Sequence, residues 1–393
     1  MFPPTFAGAV YAVEQRRVPG REQPITCVLL DSVQSQANRM EEALQAALDA
    51  REIALPAIVV DFSEYGPTGD VEKDATEGRL LDAIGKITSL QVPHRLADAI
   101  LRDSEHNGEP FRKSAAGRSL NLASPLNATA LYQLCPTALV FGMWDSTGPK
   151  GGLGAKFERA IVSEAVGVGA EVGDLLRGVR RDPLEVRANI QVRELDDKGP
   201  TGKRFEVLGA DVKGGVNPSK VNHSSVPFPK TRDKKTDDNH YSGVTIGYAE
   251  QITTLSLICL RRLRFPLAEP KPDEPKPDQG AANAAGHAVL AALGLCAATL
   301  AFESGMGLRS RCLLWPDGPM LWELLAKPGE PPKLFSLDAA SAKKLLAQAV
   351  AAAGQAGLKW RTEPLTLKPS SELLKLVRLS QQQAVKEGTA EES

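Results

Sequence analysis

Cysteine, histidine and aromatic residues are scarce in this chain of 393 residues. It contains five cysteines and five histidines, and aromatic residues make up 5% of it. Because no two cysteines are spaced as CxxC, neither a zinc finger nor a disulfide framework is expected. Dispersed thiols are typical of reduced proteins, so we predict a cytoplasmic protein without a metal site.

The chain also lacks an excess of charge of either sign. Lysine and arginine total 47, aspartate and glutamate total 48, and the net charge is −1, which does not indicate a globally basic nucleic-acid binder. The distribution is uneven, however. Residues 1–146 hold 13 basic and 19 acidic residues, whereas residues 147–264 hold 20 basic and 15 acidic residues. This asymmetry has two interpretations. Either the basic middle part of the chain binds an anionic partner, or the uneven distribution is statistical variation without function.

Long apolar stretches are confined to one window. A signal peptide begins with basic residues that are followed by an apolar segment. The N-terminus does not show this pattern, so no signal peptide is expected. Residues 284–302 are almost entirely apolar, but eight of them are alanine and two are glycine, and these residues insert poorly into a bilayer. We therefore predict a buried helix in this window and no membrane partner.

Hydrophobic periodicity predicts a mixture of helices and strands. A strand over residues 25–30 is followed by a helix that Ser32 or Ser35 caps. The other predicted strands lie at residues 57–62, 137–143, 157–166, 309–315, 321–325 and 358–367. The other predicted helices lie at residues 93–103, 281–303 and 337–353, and a terminal helix is predicted to end at about residue 383. Polar, proline-rich or glycine-rich composition predicts loops at residues 66–78, 213–240 and 266–278. This order of elements is typical of an α+β or α/β fold.

The segment after the first strand is the most informative part of the sequence. Residues 31–39 read DSVQSQANR and lie where the strand enters the helix. A helix start needs one cap, yet this segment offers six hydroxyl, amide or guanidinium side chains. They are Ser32, Gln34, Ser35, Gln36, Asn38 and Arg39. Because helix N-termini bind anions through free N–H groups, the segment predicts phosphate or base contacts. The alternative is a helix cap with surplus polar residues.

The glycine-rich segment at residues 148–154 is a second candidate. It fits neither G-x-x-x-x-G-K-[ST] nor G-x-G-x-x-G, so we expect neither nucleotide hydrolysis nor a cofactor. Its glycines can still bring backbone N–H groups close to a phosphate, and Lys150, Lys156 and Arg159 lie among or beside them. The alternative is a tight turn between two strands.

Basic residues also begin the helix predicted at residues 93–103. His94 and Arg95 stand at its start, where positive side chains oppose the helix dipole. This mismatch suggests that the two residues hold an anion, and a solvated helix start is the alternative. No Ser-His-Asp order, HExxH motif or paired acidic motif indicates acid–base catalysis.

Five segments carry a resemblance to a known family. They are LLDSVQSQANRMEEAL, VPHRLADAILRDS, ATALYQLCPTALVFGMWDSTGPKGGLGAKFERAIVSE, YAEQITTLSLICLRRLRFP and LRSRCLLWP. Together they resemble the backbone subunit of the type I-G (formerly I-U) CRISPR Cascade effector complex, which belongs to the RAMP superfamily of repeat-associated proteins. The resemblance extends from about residue 25 to about residue 370.

The resemblance implies an α+β fold with a ferredoxin-like, RRM-type RAMP palm, an inserted thumb hairpin and additional insertions. The implied parts are the first part of the palm (1–166), the thumb and insertion region (167–243), a further palm segment (244–265), a proline-rich loop (266–280) and the C-terminal part of the palm (281–385). Asn222 and His223 fall in the thumb region and are predicted RNA contacts.

The resemblance also implies a non-catalytic subunit that binds the CRISPR guide RNA (crRNA) and multimerises head to tail along it. The further implied partners are the target DNA strand and the other subunits of a Cascade complex that serves antiviral defence. Related subunits carry a Ser-x-Gln-Ser stretch after the first strand, which Ser32, Gln34 and Ser35 match. Ala37 and Asn38 stand where related families often have two basic residues.

Two alternatives of other classes stay open. Some RAMP backbone subunits of other CRISPR types cleave target RNA with a loop aspartate, so a metal-dependent ribonuclease is one alternative, although no motif here assigns that residue. A nucleotide-binding enzyme that uses the glycine-rich segment is the other. RNA cleavage that depends on divalent ions would identify the first, and nucleotide turnover would identify the second.

Overall fold

The computed structural model of the protein describes residues 1–6, 10–17, 19–20, 22–148, 154–172, 180–199, 202–225, 243–269 and 277–390. The strands are β1 (Val13–Arg16), β2 (Ile25–Asp31), β3 (Ile58–Asp61), β4 (Lys86–Thr88), β5 (Ser104–His106), β6 (Glu109–Pro110), β7 (Met143–Trp144), β8 (Lys156–Phe157), β9 (Ile161–Val168), β10 (Glu171–Val172), β11 (Ile190–Gly199), β12 (Gly202–Ala210), β13 (Val244–Thr245), β14 (Tyr248–Leu255), β15 (Met306–Arg309), β16 (Cys312–Leu314), β17 (Leu321–Leu324), β18 (Lys333–Ser336) and β19 (Leu365–Pro369). The α-helices are α1 (Val33–Asp49), α2 (Val71–Glu77), α3 (Ala99–Arg102), α4 (Ala115–Asn121), α5 (Thr129–Leu134), α6 (Thr137–Phe141), α7 (Leu257–Arg261), α8 (Gln279–Glu303), α9 (Ala339–Gln355) and α10 (Ser371–Ala390). This mixture confirms the α+β class.

The first sheet brings the start of the chain against its middle. Among the described strands it has the antiparallel order β1-β2-β9-β14. β2 confirms the strand predicted at residues 25–30, and a bulge between Leu29 and Asp31 ends it just before α1. β9 pairs with β14 along its whole length, which places Ser163 opposite Thr253. The polar side chains of two strands therefore meet beneath the start of α1.

The second sheet pairs β3 to β6, which lie between residues 58 and 110, with β19 at residues 365–369. Its described strands have the order β4-β3-β19-β5-β6. β19 runs parallel to β3, with Leu367 opposite Val60, and antiparallel to β5. Ile58, Val60 and Leu367 are fully buried. β19 alternates buried and exposed residues, so one of its faces covers the core and the other, with Thr366 and Lys368, is exposed. The strand predicted at residues 358–367 thus lies slightly later in the chain and completes a sheet that β3 begins.

α8 is the long apolar helix of the core. It packs against α1, α6, α7 and α9 and against β14. The Phe265 ring packs directly on the helix backbone at Gly286. Any larger residue would clash there, because a Cβ atom at this position would lie 2.6 Å from the ring. Among the described helices α8 is long and apolar enough to cross a membrane, yet 56% of its most apolar window is buried inside the fold. The buried helix predicted at residues 281–303 is confirmed.

The prediction of a strand at residues 137–143 is wrong. These residues form the short helix α6, all five residues of which are buried. A helix that is apolar all round has no periodicity to separate it from a buried strand. Pro136 at its start and Gly142 at its end, where φ is +77°, are consistent with a helix rather than a strand.

Three further predictions need correction. The loop predicted at residues 66–78 contains α2, whose start is capped by Asp70: its Oδ1 accepts a hydrogen bond from the Lys73 N–H at 3.0 Å. The helix predicted at residues 93–103 is split into a 3₁₀ turn and α3, because Asp98 ends the first and caps the second. The strand predicted at residues 309–315 is instead the turn and second strand of the hairpin β15–β16.

β11 and β12 pair with each other as a hairpin in the region predicted as the thumb. Residues 173–179, 200–201 and 226–242 of this region lie outside the described residues, as do residues 270–276 of the predicted proline-rich loop. The thumb role, the predicted boundaries between the parts and the RRM-type palm therefore stay predictions.

Candidate nucleic-acid interface

The first turn of α1 presents hydroxyl and amide groups. Ser32 is the N-cap, and its hydroxyl accepts a hydrogen bond from the Ser35 N–H at 3.3 Å. Gln34 and Asn38 are exposed, Ser32 and Ser35 are partly exposed, and the first turn of this helix contains no acidic residue. The positive end of the helix dipole is therefore open to an anion at a neutral polar surface.

Asp31 holds two of the other predicted contact residues. This carboxylate is buried at the end of β2, where its Oδ2 accepts hydrogen bonds from Gln36 Nε2 at 2.6 Å and from Arg39 Nε at 2.9 Å. The Arg39 side chain remains 27% exposed. Charge-assisted contacts of this kind fix the guanidinium in one orientation. Arg39 is therefore positioned by one of its nitrogens while its outer end reaches the surface.

Gln36 connects the helix to the sheet. It is 2% exposed, and its Oε1 accepts hydrogen bonds from Ser163 Oγ at 3.0 Å and from Gln251 Nε2 at 2.9 Å. Ser163 Oγ also lies 2.8 Å from Thr253 Oγ1. Because both ends of the amide are engaged inside the fold, Gln36 has no surface through which to contact RNA. Its place is to hold α1 against β9 and β14.

Arg95 is also internal, for a different reason. Its side chain is 10% exposed and that of Glu41 is 5% exposed. The two form a bidentate ion pair, with Arg95 Nε and Nη2 each 2.7 Å from a Glu41 oxygen. Arg95 Nη1 donates to the Gly142 carbonyl at 3.1 Å, and its guanidinium lies 5.4 Å from the centre of the Phe141 ring. This arginine therefore joins α1 to α6, and its burial removes it from the predicted RNA surface.

Arg159 lies beside this ion pair and is partly buried. Burial lowers the pKa of its guanidinium, and the like charge of Arg95 lowers it further, whereas Glu41 opposes both effects. Burial raises the pKa of Glu41, and the hydrogen bonds from Arg95 counter that rise. One buried carboxylate thus faces two guanidiniums, so the cluster carries a net positive charge. Such a cluster attracts an anion when its outer arginine is reachable from solvent.

Lys156 is a further basic residue, three positions before Arg159. It is exposed on β8, opposite Trp144 on β7, and its ammonium lies 5.5 Å from the centre of the Trp144 ring. His94 is exposed next to Arg95, which fits both the predicted anion contact and the alternative of a solvated helix start, so its contact with RNA stays a prediction. Lys150 lies outside the described residues.

The glycine-rich segment starts from a buried ion pair. Asp145 Oδ2 lies 3.0 Å from Arg112 Nη1, and both side chains are at least nine-tenths buried. Arg112 also donates to Asn121 Oδ1 at 2.9 Å. Gly148 packs so close that a Cβ atom there would lie 2.3 Å from the Asp145 carboxylate. The segment is therefore anchored at its start by a carboxylate that is not available to a ligand.

Residues 1–172 match a family model described as CRISPR-associated protein GSU0053. The match supports a CRISPR-associated protein. It covers the start of α1, the pair of Arg95 with Glu41, and Arg159, so most of the candidate surface falls inside the matched part. No curated protein matches the chain.

Two predicted contacts lie beyond the residues that match the family model. Asn222 has a left-handed backbone conformation, with φ of +65°, which asparagine adopts more readily than most residues. The His223 ring packs edge-on against Phe205 of β12, with 5.3 Å between ring centres. His223 thus lies against the β11–β12 hairpin, and both residues are far in sequence from the start of α1. Their contact with RNA stays a prediction.

Proposed function

We propose that this protein is a non-catalytic guide-RNA-binding backbone subunit of a type I-G CRISPR Cascade complex. The observation that carries the proposal is the start of α1, where an open helix N-terminus, the Ser32 and Ser35 hydroxyls and the oriented Arg39 side chain share one surface. Backbone N–H groups, hydroxyls and arginine are the groups that proteins use to bind nucleic-acid phosphates. The similarity to a CRISPR-associated family supports RNA of that system as the ligand.

In this proposal the second part of the surface is the basic cluster of Arg159 and Lys156. These residues contact the sugar–phosphate backbone and leave the guide bases free to pair with the target DNA strand. Such contacts carry no sequence information, which suits a subunit that must accept any guide. Gln36 and the pair of Arg95 with Glu41 act as positioning residues, because they fix α1 relative to the first sheet and to α6.

The proposed partners are the crRNA, the target DNA strand, the other Cascade subunits and further copies of this chain. Copies arranged head to tail form a heterologous contact that does not close into a ring. The near-neutral total charge suits such self-association, because one copy offers both a basic region and an acidic region to its neighbours.

The charge of Arg39 is expected to matter for RNA binding. Arg39→Gln keeps a donor for Asp31 but removes the positive charge, so affinity for single-stranded RNA should fall by about 1–3 kcal/mol. Fluorescence anisotropy with a labelled oligonucleotide measures the change. Lys344→Gln, on the exposed face of α9, is the matched control and should bind like the wild-type protein. Equal affinity of the Arg39→Gln and wild-type proteins would remove Arg39 from the site.

Assembly is expected to follow the length of the RNA. Each copy contributes one segment of the groove, and the guide supplies the avidity that weak contacts between copies lack. Native mass spectrometry on complexes built with guides of increasing length should therefore show copy number rising in steps. A closed dimer or ring whose size ignores guide length would contradict the array and favour an ordinary enzyme oligomer.

The ribonuclease alternative is tested on the same material. Labelled target RNA incubated with the assembled complex and Mg²⁺ or Mn²⁺ should stay intact if the subunit is non-catalytic. Cleavage that chelation with EDTA stops would establish the metal-dependent enzyme instead.

A further inference from the structure

The hairpin β15–β16 has two faces of opposite character. Met306, Leu308 and Leu314 pack against the buried side chains of the first sheet. On the other face Leu313 is 77% exposed, and Trp315, which directly follows β16, is 79% exposed. An exposed tryptophan beside an exposed leucine is unusual, because large apolar side chains are normally placed where something covers them.

Glycine on the opposite strand supports this exposed tryptophan. A Cβ atom on Gly305 would lie 2.8 Å from the Trp315 ring, so the ring rests directly on backbone. Gly307 pairs with Leu313 in the hairpin and adds no side chain beside it. One face of the indole therefore packs on backbone, and most of its remaining surface is exposed to solvent. This leaves a ring face on which another planar group can stack.

Two arginines supply positive charge at the turn of the same hairpin. Arg309 and Arg311 are exposed; Arg309 donates to the Pro3 carbonyl, and Arg311 lies over the Phe2 ring. Residues 306–315 contain no acidic residue, and the next one along the chain is Asp317. Among the described residues, no carboxylate forms an ion pair with either arginine. The hairpin thus combines an exposed aromatic ring with two arginines that form no ion pair within the described part of the chain.

The hairpin lies next to the surface described above. Met306 Sδ is 3.2 Å from Gln36 Nε2, which places β15 beside the first turn of α1. A nucleic-acid strand held at that turn therefore passes close to the hairpin. Aromatic stacking combined with arginine is how single-stranded nucleic acids are held without sequence preference, since every base has a π-face.

We propose that the hairpin β15–β16 is a base-stacking platform for single-stranded nucleic acid. A base stacks on Trp315 at the open end of the hairpin, and Arg309 and Arg311, at its turn, contact phosphates further along the same nucleic-acid strand. This inference rests on the proposed function, because it assigns a further part of the same RNA-binding surface.

Stacking is tested with variants of the full chain and a short unstructured RNA oligonucleotide that accommodates one copy. Trp315→Ala should bind about 5- to 150-fold more weakly, the range that loss of one stacked base gives. Trp315→Phe should retain most of the affinity, because phenylalanine still stacks. Leu325→Ala is the control, since Leu325 is equally exposed but lies beyond this hairpin, and it should bind like the wild-type protein.

An oligonucleotide that carries abasic sites separates stacking from simple folding effects. The wild-type protein should bind the abasic oligonucleotide more weakly than the intact one. The Trp315→Ala variant, which has already lost the stacking contact, should bind the two oligonucleotides with similar affinity. If the wild-type protein binds no RNA at all, the proposed function itself fails. If the wild-type protein binds RNA and Trp315→Ala binds it equally well, the platform is wrong and the proposed function stands. A Trp315→Ala protein with unchanged RNA affinity but impaired self-assembly would identify a protein contact instead and overturn the platform.

Discussion

Replacing Glu41 with alanine is expected to lower the free energy of unfolding by about 3–5 kcal/mol, which is the cost of leaving one member of a buried ion pair without its partner. Glu41 holds Arg95 through two hydrogen bonds of 2.7 Å, and both side chains are almost fully buried. Without the carboxylate, the Arg95 guanidinium stays buried beside Arg159, a second positive charge. Urea denaturation followed by circular dichroism measures the loss.

Glu42 provides the matched control. It neighbours Glu41 on α1 but is exposed, so Glu42→Ala should change stability by about 0.5 kcal/mol or less. The double variant Glu41→Leu with Arg95→Met should be more stable than Glu41→Ala, because it leaves no unpaired charge. Equal stability of Glu41→Ala and Glu42→Ala would show that the ion pair does not hold α1 in place.

The same pair gives the stability a defined dependence on pH. Burial raises the pKa of Glu41, and Arg95 is the main group that opposes this rise. In Arg95→Met the folded-state pKa of Glu41 should therefore stand further above its unfolded value. A raised carboxyl pKa favours the folded state below the unfolded pKa, and this contribution is lost as the pH rises through the folded pKa. The deficit of Arg95→Met relative to the wild-type protein should shrink on acidification towards the unfolded pKa of about 4.3.

RNA affinity is expected to fall about 100-fold for a tenfold rise in salt concentration. If Arg39, Lys156 and Arg159 each neutralise one phosphate, the slope of log K against log salt is about −2.1, three times the value of about −0.7 per phosphate on a single strand. Unrelated oligonucleotide sequences should give similar affinities, because backbone contacts do not read bases. Anisotropy titrations at several salt concentrations measure both properties.

The contribution of one residue to this slope can be isolated. Arg159→Gln should make the slope less steep by about 0.7. This change removes the repulsion between Arg159 and Arg95 together with the attraction between Arg159 and Glu41, so the stability of the folded state should change little. Lys344→Gln should leave the slope unchanged. A flat salt response of the wild-type protein, or a strong dependence on RNA sequence, would contradict backbone recognition.

The sequence predicted those elements whose signals are local. β2 and α1 were predictable because an apolar run ends at a polar cap, Ser32, and apolar residues then recur at helical spacing. α8 was predictable from its length and composition. The helix α6 was mistaken for a strand because its five buried residues, four of them apolar, show no period, although Pro136 before it indicates a helix start.

The candidate site depends on contacts between distant parts of the chain, and these were less predictable. The sequence marked Gln36 and Arg39 as polar groups at a helix start. It gave no sign that Gln36 meets Ser163 and Gln251, which are 127 and 215 residues away along the chain. The usable signal was a polar residue at an otherwise apolar position of a strand, as with Ser163 in IVSEAV. A polar side chain on a buried face needs a partner, and only the packed sheet identifies it.

Glu41 offered a similar signal that sequence reasoning did not use. It lies on α1 between Met40 and Leu44, both of which are buried, and a charged residue among core positions is almost always paired. That rule predicts a buried cation as its partner. It does not select Arg95, which is 54 residues further along the chain.

The position of β19 between β3 and β5 governs when this protein can finish folding. During synthesis β3 and β5 leave the ribosome long before β19, the strand that joins them. Until β19 is in place, β3 and β5 each have one edge whose backbone N–H and C=O groups are unpaired, and such edges can pair with strands of other chains. The long separation of the paired residues also predicts slow closure of this sheet. A fragment limited to residues 1–172, the part that matches the family model, would therefore expose two strand edges and should aggregate unless the C-terminal part is supplied with it.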